Sequence, residues 1–123
     1  AMEEYLEALF FLRFFQGRTL DLHNDDFYTV TLDGEQVRLS LGDEEIFGGL
    51  SDMTGEIGRQ MQMWIQEGNY AEAIRGNRAI AEAVEFLNLS TAGGQLRRKV
   101  DQANGNLSRS DGRLTDLKIR GLI

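Results

Sequence analysis

The sequence contains no cysteine, no proline and a single histidine, His23. The absence of cysteine excludes disulfides, thiolate metal sites and cysteine nucleophiles. One histidine is too few for a His-rich zinc site, an HExxH enzyme or the paired Glu-x-x-His ligands of di-iron bundles. The absence of proline, against roughly 5% in average chains, favours long helices.

Long hydrophobic runs are also absent. The longest, Ala8–Phe15, is interrupted by Arg13 and is too short to span a bilayer. The acidic residues that follow Met2 do not resemble the basic start of a secretory signal. We therefore expect one domain over residues 1–123, no membrane partner, and a cytoplasmic location that extends to the nucleus in a eukaryote.

The charge is uneven along the chain, whose formal net charge is −7. Residues 1–60 hold 13 acids and 4 bases, whereas residues 61–123 hold 7 acids and 9 bases. The acidic total argues against loose polyanion binding, but the basic C-terminal half could contact a phosphate backbone locally. The cluster Arg97, Arg98 and Lys99 is a candidate for such contact, although a solvated helix face is the commoner explanation of a charge run.

The first half of the chain predicts one buried helix followed by a hairpin. Glu3 to Gln16 is apolar almost all round from Ala8 onward, which is typical of a deeply buried helix. Two β-rich runs, Phe27–Leu32 and Gln36–Leu41, then flank an Asp-Gly pair. Asp-Gly between such runs is a strong hairpin signal.

The rest of the chain predicts three more helices. Apolar residues at steps of three and four indicate a helix from Asp43 to about Glu67 and another from Tyr70 to about Leu89. A heptad-like seam from Leu96 to Leu117 runs unbroken through two glycines and predicts one long final helix. The sequence therefore predicts an all-α helical bundle with one β-hairpin inserted between its first two helices.

Four carboxylates have the spacing of a metal site. Glu4 and Glu7 are three residues apart on the first predicted helix, and Asp52 and Glu56 are four apart on the second, so each pair shares a helix face. Both pairs border apolar stripes and should be partly buried. Four clustered carboxylates there require a cation, and oxygen-only ligands favour Mg²⁺ or Mn²⁺. The alternative is that all four are ordinary solvated surface acids.

Several motifs resemble the translin superfamily. Residues 4–20, EYLEALFFLRFFQGRTL, resemble the E-Y-V-E-A-x-x-F-x-x-F-x-x-x-R-S-L helix of translin-associated factor X. Residues 46–57, IFGGLSDMTGEI, resemble the Y-L-x-G-x-x-D-L-T-G-E-L segment of the superfamily. QEGNY at 66–70 is similar to the G-D-Y turn, and LKIRG at 117–121 is similar to the L-K-V-R-G end of the last family helix.

The resemblance implies an all-α translin fold that assembles into a hollow oligomer with nucleic acid inside. The oligomer would be a homo-oligomer or a hetero-oligomer with a translin subunit. The factor X branch is a Mg²⁺-dependent endoribonuclease, and its catalytic carboxylates fall on the four positions already singled out by spacing: Glu4, Glu7, Asp52 and Glu56. Apart from the resemblance, Arg13 and Arg18 could contact phosphate near these acids, and ion pairs to local acids are an equally good explanation of both. The 97–99 cluster could line an RNA path.

The chain departs from the family pattern in two respects. Family chains have further helices before the E-Y-x-E helix, so the fold is expected to be truncated at its N-terminus relative to the family. Arg13 also stands where factor X has a histidine.

The resemblance predicts a factor X-type nuclease that cleaves RNA, most readily single-stranded, with a Mg²⁺-activated water. Two alternatives remain open at this point. The first is a non-catalytic nucleic-acid-binding or scaffold subunit of a translin-type oligomer. The second is a nucleotide pyrophosphohydrolase, because Glu3-Glu4-x-x-Glu7 is similar to the E-E-x-x-E motif of that class.

Overall fold

A computed structural model describes residues 29–32, 34–38, 43–89 and 95–123 of the chain. The helix predicted over Glu3–Gln16 lies outside these residues, as do Glu4, Glu7, Arg13 and Arg18.

Three helices form the bundle in the described part of the chain: α1 (Asp43–Gln66), α2 (Tyr70–Asn88) and α3 (Gln95–Ile119). Each of them packs against the other two. The predicted all-α class is confirmed, and the predicted extents of these helices agree with the observed ones to within two residues at each end. None of the helices in the described ranges is long and apolar enough to cross a membrane.

Two short strands precede the helices. Strands β1 (Thr29–Leu32) and β2 (Glu35–Arg38) pair antiparallel, with Leu32 opposite Glu35. Gly34 lies in the turn between them with φ of +82°, a conformation that glycine adopts without a steric penalty. Insertion of this pair between two helices stays a prediction, because the helix predicted before it lies outside the described residues.

The turn between α1 and α2 shows why both helices end where they do. Gly68 has φ of +75°, and its N–H donates to the Ile65 carbonyl while the Asn69 N–H donates to the Trp64 carbonyl at 2.7 Å. This is the Schellman pattern, which satisfies the last carbonyls of a helix. The Asn69 side chain then accepts from the Glu72 N–H at 3.4 Å and so caps α2.

Glu72 lies in the first turn of α2, where a negative charge is favourable because of the helix dipole. Arg75 donates two hydrogen bonds to its carboxylate at 2.9 and 3.0 Å. These bonds lower the pKa of Glu72 because they stabilise its charged form.

The core lies where the apolar stripe of α1 meets α2 and α3. Leu50, Met53, Ile57 and Met61 of α1 are completely buried. Their neighbours on the other helices are also buried, and these are mostly small or branched: Ala73, Ile80, Ala83, Val84, Leu87, Val100 and Ala103. Burial of each large apolar side chain stabilises the fold by roughly 1.5–3 kcal/mol.

Gly76 of α2 packs tightly against side chains of α1. A Cβ built on Gly76 would lie 3.0 Å from Cγ2 of Ile57, 3.1 Å from Cζ3 of Trp64 and 3.3 Å from Cγ of Met61. A methyl group here would force these side chains to shift by a few tenths of an ångström. The absence of a side chain at Gly76 therefore allows the close packing of the two helices at this point.

Gly76→Ala should make the protein less stable than the matched variant Gly112→Ala. Both substitutions gain the same helix propensity, about 1 kcal/mol, but only the first overpacks the core, at a cost of about 1–3 kcal/mol. Gly112 lies in α3 and a Cβ there would meet nothing within 4 Å. Urea unfolding at equal protein concentration measures the difference. Equal stability of the two variants would contradict the close contact at Gly76.

Candidate metal and nucleic-acid site

Asp52 and Glu56 lie one helical turn apart on α1. Their side chains are 28% and 30% exposed, which agrees with the partial burial expected from their position beside the apolar stripe. Glu4 and Glu7 lie outside the described residues, so the meeting of the two pairs stays a prediction. Within residues 29–32, 34–38, 43–89 and 95–123, no group of three or more acidic or histidine side chains could hold a metal.

Both carboxylates have a cationic neighbour. The Asp52 Oδ1 atom lies 3.5 Å from the Lys99 ammonium, which comes from α3. Glu56 accepts hydrogen bonds from the guanidinium of Arg59, one turn further along α1. Partly buried carboxylates are costly without such partners, so the two cations compensate the acidic face of α1.

A chain of hydrogen bonds between α1 and α3 fixes the position of Asp52. The Ser51 hydroxyl donates to the Lys99 carbonyl at 2.9 Å. The Thr54 hydroxyl donates to the Ser51 carbonyl at 2.6 Å and accepts from the Asn106 amide at 2.9 Å. Ser51 and Thr54 are completely buried, so these bonds form away from water. They hold the Asp52 segment and the Lys99 segment in one register.

The three residues of the predicted basic cluster on α3 have different surroundings. Arg97 and Arg98 are exposed, and Arg97 pairs with Asp101 at 3.2 Å. Lys99 is instead half-buried and contacts Asp52 of α1. One member of the predicted RNA-binding set is therefore adjacent to one member of the predicted metal-binding set.

A polar cleft between α1 and α3, beyond Glu56, was not predicted from the sequence. Arg59, Arg109 and Arg113 line this cleft together with Gln102 and Asn106, over the two α1 residues Gly55 and Gly58. Its volume is about 230 Å³. The sequence carries one signal for it: Asn106, Arg109 and Arg113 recur at steps of three and four, which places them on one face of α3.

The carboxylate pair suits a hard divalent cation. Its donors are oxygen atoms only, which is the ligand set that Mg²⁺ and Mn²⁺ prefer. Asp52 and Glu56 are also partly exposed and one turn apart on the same helix, so both can reach one ligand. The residues present in the described part therefore fit half of a four-carboxylate site.

The fold and the site define an all-α bundle in which an acidic face of one helix meets a basic helix. Residues 1–121 match the Translin family, and the chain belongs to that family. A search of the curated proteins finds no match. The resemblance to the superfamily is thereby confirmed, whereas assignment to the factor X branch stays a prediction.

Thr54→Val should lower the free energy of unfolding by about 1–3 kcal/mol. The change keeps the shape of the side chain but removes the donor to Ser51 and the acceptor for Asn106, at about 0.5–1.5 kcal/mol for each bond. The control is Thr115→Val on the exposed side of α3, which should change stability by less than about 0.5 kcal/mol. Urea denaturation with unchanged m-value reports both, and equal effects would contradict the buried network.

Proposed function

We propose that this protein is a metal-dependent endoribonuclease of the factor X type, working within a nucleic-acid-binding oligomer. Membership of the Translin family supports nucleic-acid binding and oligomer formation. The observation that carries the catalytic part is the pair Asp52 and Glu56, which lie one turn apart on a partly buried face of α1.

Asp52 and Glu56, together with Glu4 and Glu7, would hold Mg²⁺ or Mn²⁺. When bound, such a metal supplies Lewis-acid activation of water and compensates the charge of the phosphate. Hydrolysis of an RNA phosphodiester is the reaction that this chemistry favours.

The chain's own residues would orient the site and hold the RNA. Lys99 holds the Asp52 carboxylate, and the Ser51 hydrogen bond fixes the backbone of Lys99, so the acid has a defined position relative to α3. The exposed guanidinium groups of Arg97 and Arg98 would contact RNA phosphates beside it. Arg13 and Arg18 would add further phosphate contacts.

One observation favours the second candidate, a non-catalytic nucleic-acid-binding or scaffold subunit. Asp52 and Glu56 already have Lys99 and Arg59 as partners within the protein. In a scaffold subunit these ion pairs would stabilise the contact of α1 with α3 and no metal would be required. The nucleotide pyrophosphohydrolase remains a third possibility that the same experiment tests.

Wild-type protein should cleave a labelled single-stranded RNA with Mg²⁺ or Mn²⁺ and not with EDTA. Asp52→Asn, Glu56→Gln and Glu7→Ala should each reduce the cleavage rate by at least about a hundredfold, since even outer partners of a metal site are commonly worth 10- to 100-fold. The matched control is Glu85→Gln, which removes an exposed acid of α2 and should cleave normally. Light scattering on the same samples reports the oligomeric size.

The remaining outcomes separate the alternatives. RNA that is bound but left intact with either metal, by an oligomer of unchanged size, would contradict the nuclease and support the scaffold subunit. Hydrolysis of a nucleoside triphosphate with the RNA left intact would identify the pyrophosphohydrolase. Cleavage that survives each of the three acidic substitutions would exclude these carboxylates as the metal ligands of the nuclease.

A further inference from the structure

The cleft between α1 and α3 has the composition of an anion site. Its lining, all within the described part of the chain, includes three arginines and two side-chain amides and no carboxylate. Gathering three guanidinium groups around one cavity costs electrostatic free energy. The Glu56 carboxylate, which pairs with Arg59, offsets part of that cost, and an anion that enters the cavity would offset the rest. Guanidinium groups match phosphate in particular because they donate paired hydrogen bonds to its oxygens.

The two glycines keep this cleft open. A Cβ built on Gly58 would lie 3.7 Å from Nη1 of Arg113, and a Cβ built on Gly55 would lie 3.5 Å from Nδ2 of Asn106. A longer side chain at either position would therefore occupy the space in front of these donors. The volume of about 230 Å³ is far above the roughly 10–15 Å³ that one water molecule requires.

The polar groups of the cleft are held in position by their neighbours. The Arg109 guanidinium donates to the side-chain Oδ1 atom of Asn106, and the Nδ2 atom of Asn106 donates to the buried Thr54 hydroxyl at 2.9 Å. Arg59 donates to Glu56 at the end of the cleft nearest the acidic pair. The cleft and the proposed metal-binding acids are therefore neighbours along α1, since Gly58 and Arg59 follow Glu56 within one turn.

We infer that Arg59, Arg109 and Arg113 form a binding site for one phosphate of a single-stranded RNA backbone, next to the phosphate that would be cleaved. The inference rests on the proposed nucleic-acid function and adds a site to it. Its physical basis is that the arginine-lined cleft lies next to the acidic pair Asp52 and Glu56 on α1. The cleft would hold one phosphate of the strand while the acidic pair and its metal would hold the next, so the strand would bind in one direction.

The test is RNA binding in EDTA, where no cleavage occurs, measured across a range of salt concentrations. The double variant Arg109→Gln/Arg113→Gln should weaken binding by about tenfold at low salt. The slope of log K against log salt should fall by about 0.7 for each phosphate that the variant no longer neutralises. Arg78→Gln is the matched control, because it removes an exposed arginine of α2 outside the cleft and should leave the salt slope unchanged.

A second variant blocks the cleft without changing the charge. Gly58→Leu should fill the space in front of Arg113 and weaken RNA binding to a similar extent. Circular dichroism and light scattering verify that each variant keeps its fold and its oligomeric size. If this variant does not fold, the arginine variants carry the test alone.

The outcomes distinguish the cleft from the proposed function. If the wild type binds RNA and the double variant has the same affinity and salt slope, the proposed phosphate site in the cleft is wrong, whereas RNA binding by the protein stands. Failure of the wild type to bind RNA would overturn both. Competition of inorganic phosphate and of a nucleoside triphosphate with the labelled RNA shows which kind of phosphate the cleft binds. If the triphosphate binds in an Arg113-dependent way and RNA does not, the assignment to an RNA backbone is wrong.

Discussion

The contact between α1 and α3 is the constraint on which the candidate site depends. Two completely buried hydroxyls, Ser51 and Thr54, cross this contact, and each has its hydrogen-bonding capacity satisfied by a partner on α3 or on its own helix. Because an unsatisfied buried polar group costs roughly 1–3 kcal/mol, a change of register that broke these bonds would destabilise the fold. The observed register brings Lys99 next to Asp52. It also places Asn106 in the cleft that Arg59, Arg109 and Arg113 line.

The charge distribution of the bundle follows from the same contact. Helix α1 carries five acidic residues and one basic residue, whereas α3 carries six basic and three acidic residues. Packing the two helices side by side joins the acidic and basic surfaces along one line. Asp52–Lys99 is an ion pair across this line, whereas Glu56 pairs with Arg59 of its own helix. Under the proposed function, an RNA strand that follows this line would meet the proposed metal-binding acids and the proposed phosphate-binding bases within about one helical turn of each other, which would suit phosphodiester cleavage.

Much of the described fold was predictable because its signals are local. The steps of three and four along Leu50, Met53, Ile57 and Met61 define a buried helix face, and all four side chains are completely buried. The turn between α1 and α2 also depends on local residues, since Gly68 adopts the positive φ of a helix end and Asn69 caps the next helix. The half-burial of Asp52 and Glu56 followed from their position beside the apolar stripe. The cleft was not predicted, because Arg59 and Arg113 are 54 residues apart and nothing local relates them.

The family, the helical class, the ends of the helices and the two acids that share a face of α1 could all be read from the sequence, because each depends on short-range pattern or on motif. Which cations meet those acids depends instead on how the helices pack. Arg97, Arg98 and Lys99 are consecutive and looked equivalent, yet rotation of about 100° per residue around a helix turns Lys99 toward α1 and leaves the other two exposed. The same packing brings Arg59 of α1 to one cleft with Arg109 and Arg113 of α3. The partners of a side chain depend on the register between helices, and the buried Ser51, Thr54 and Gly76 fix that register.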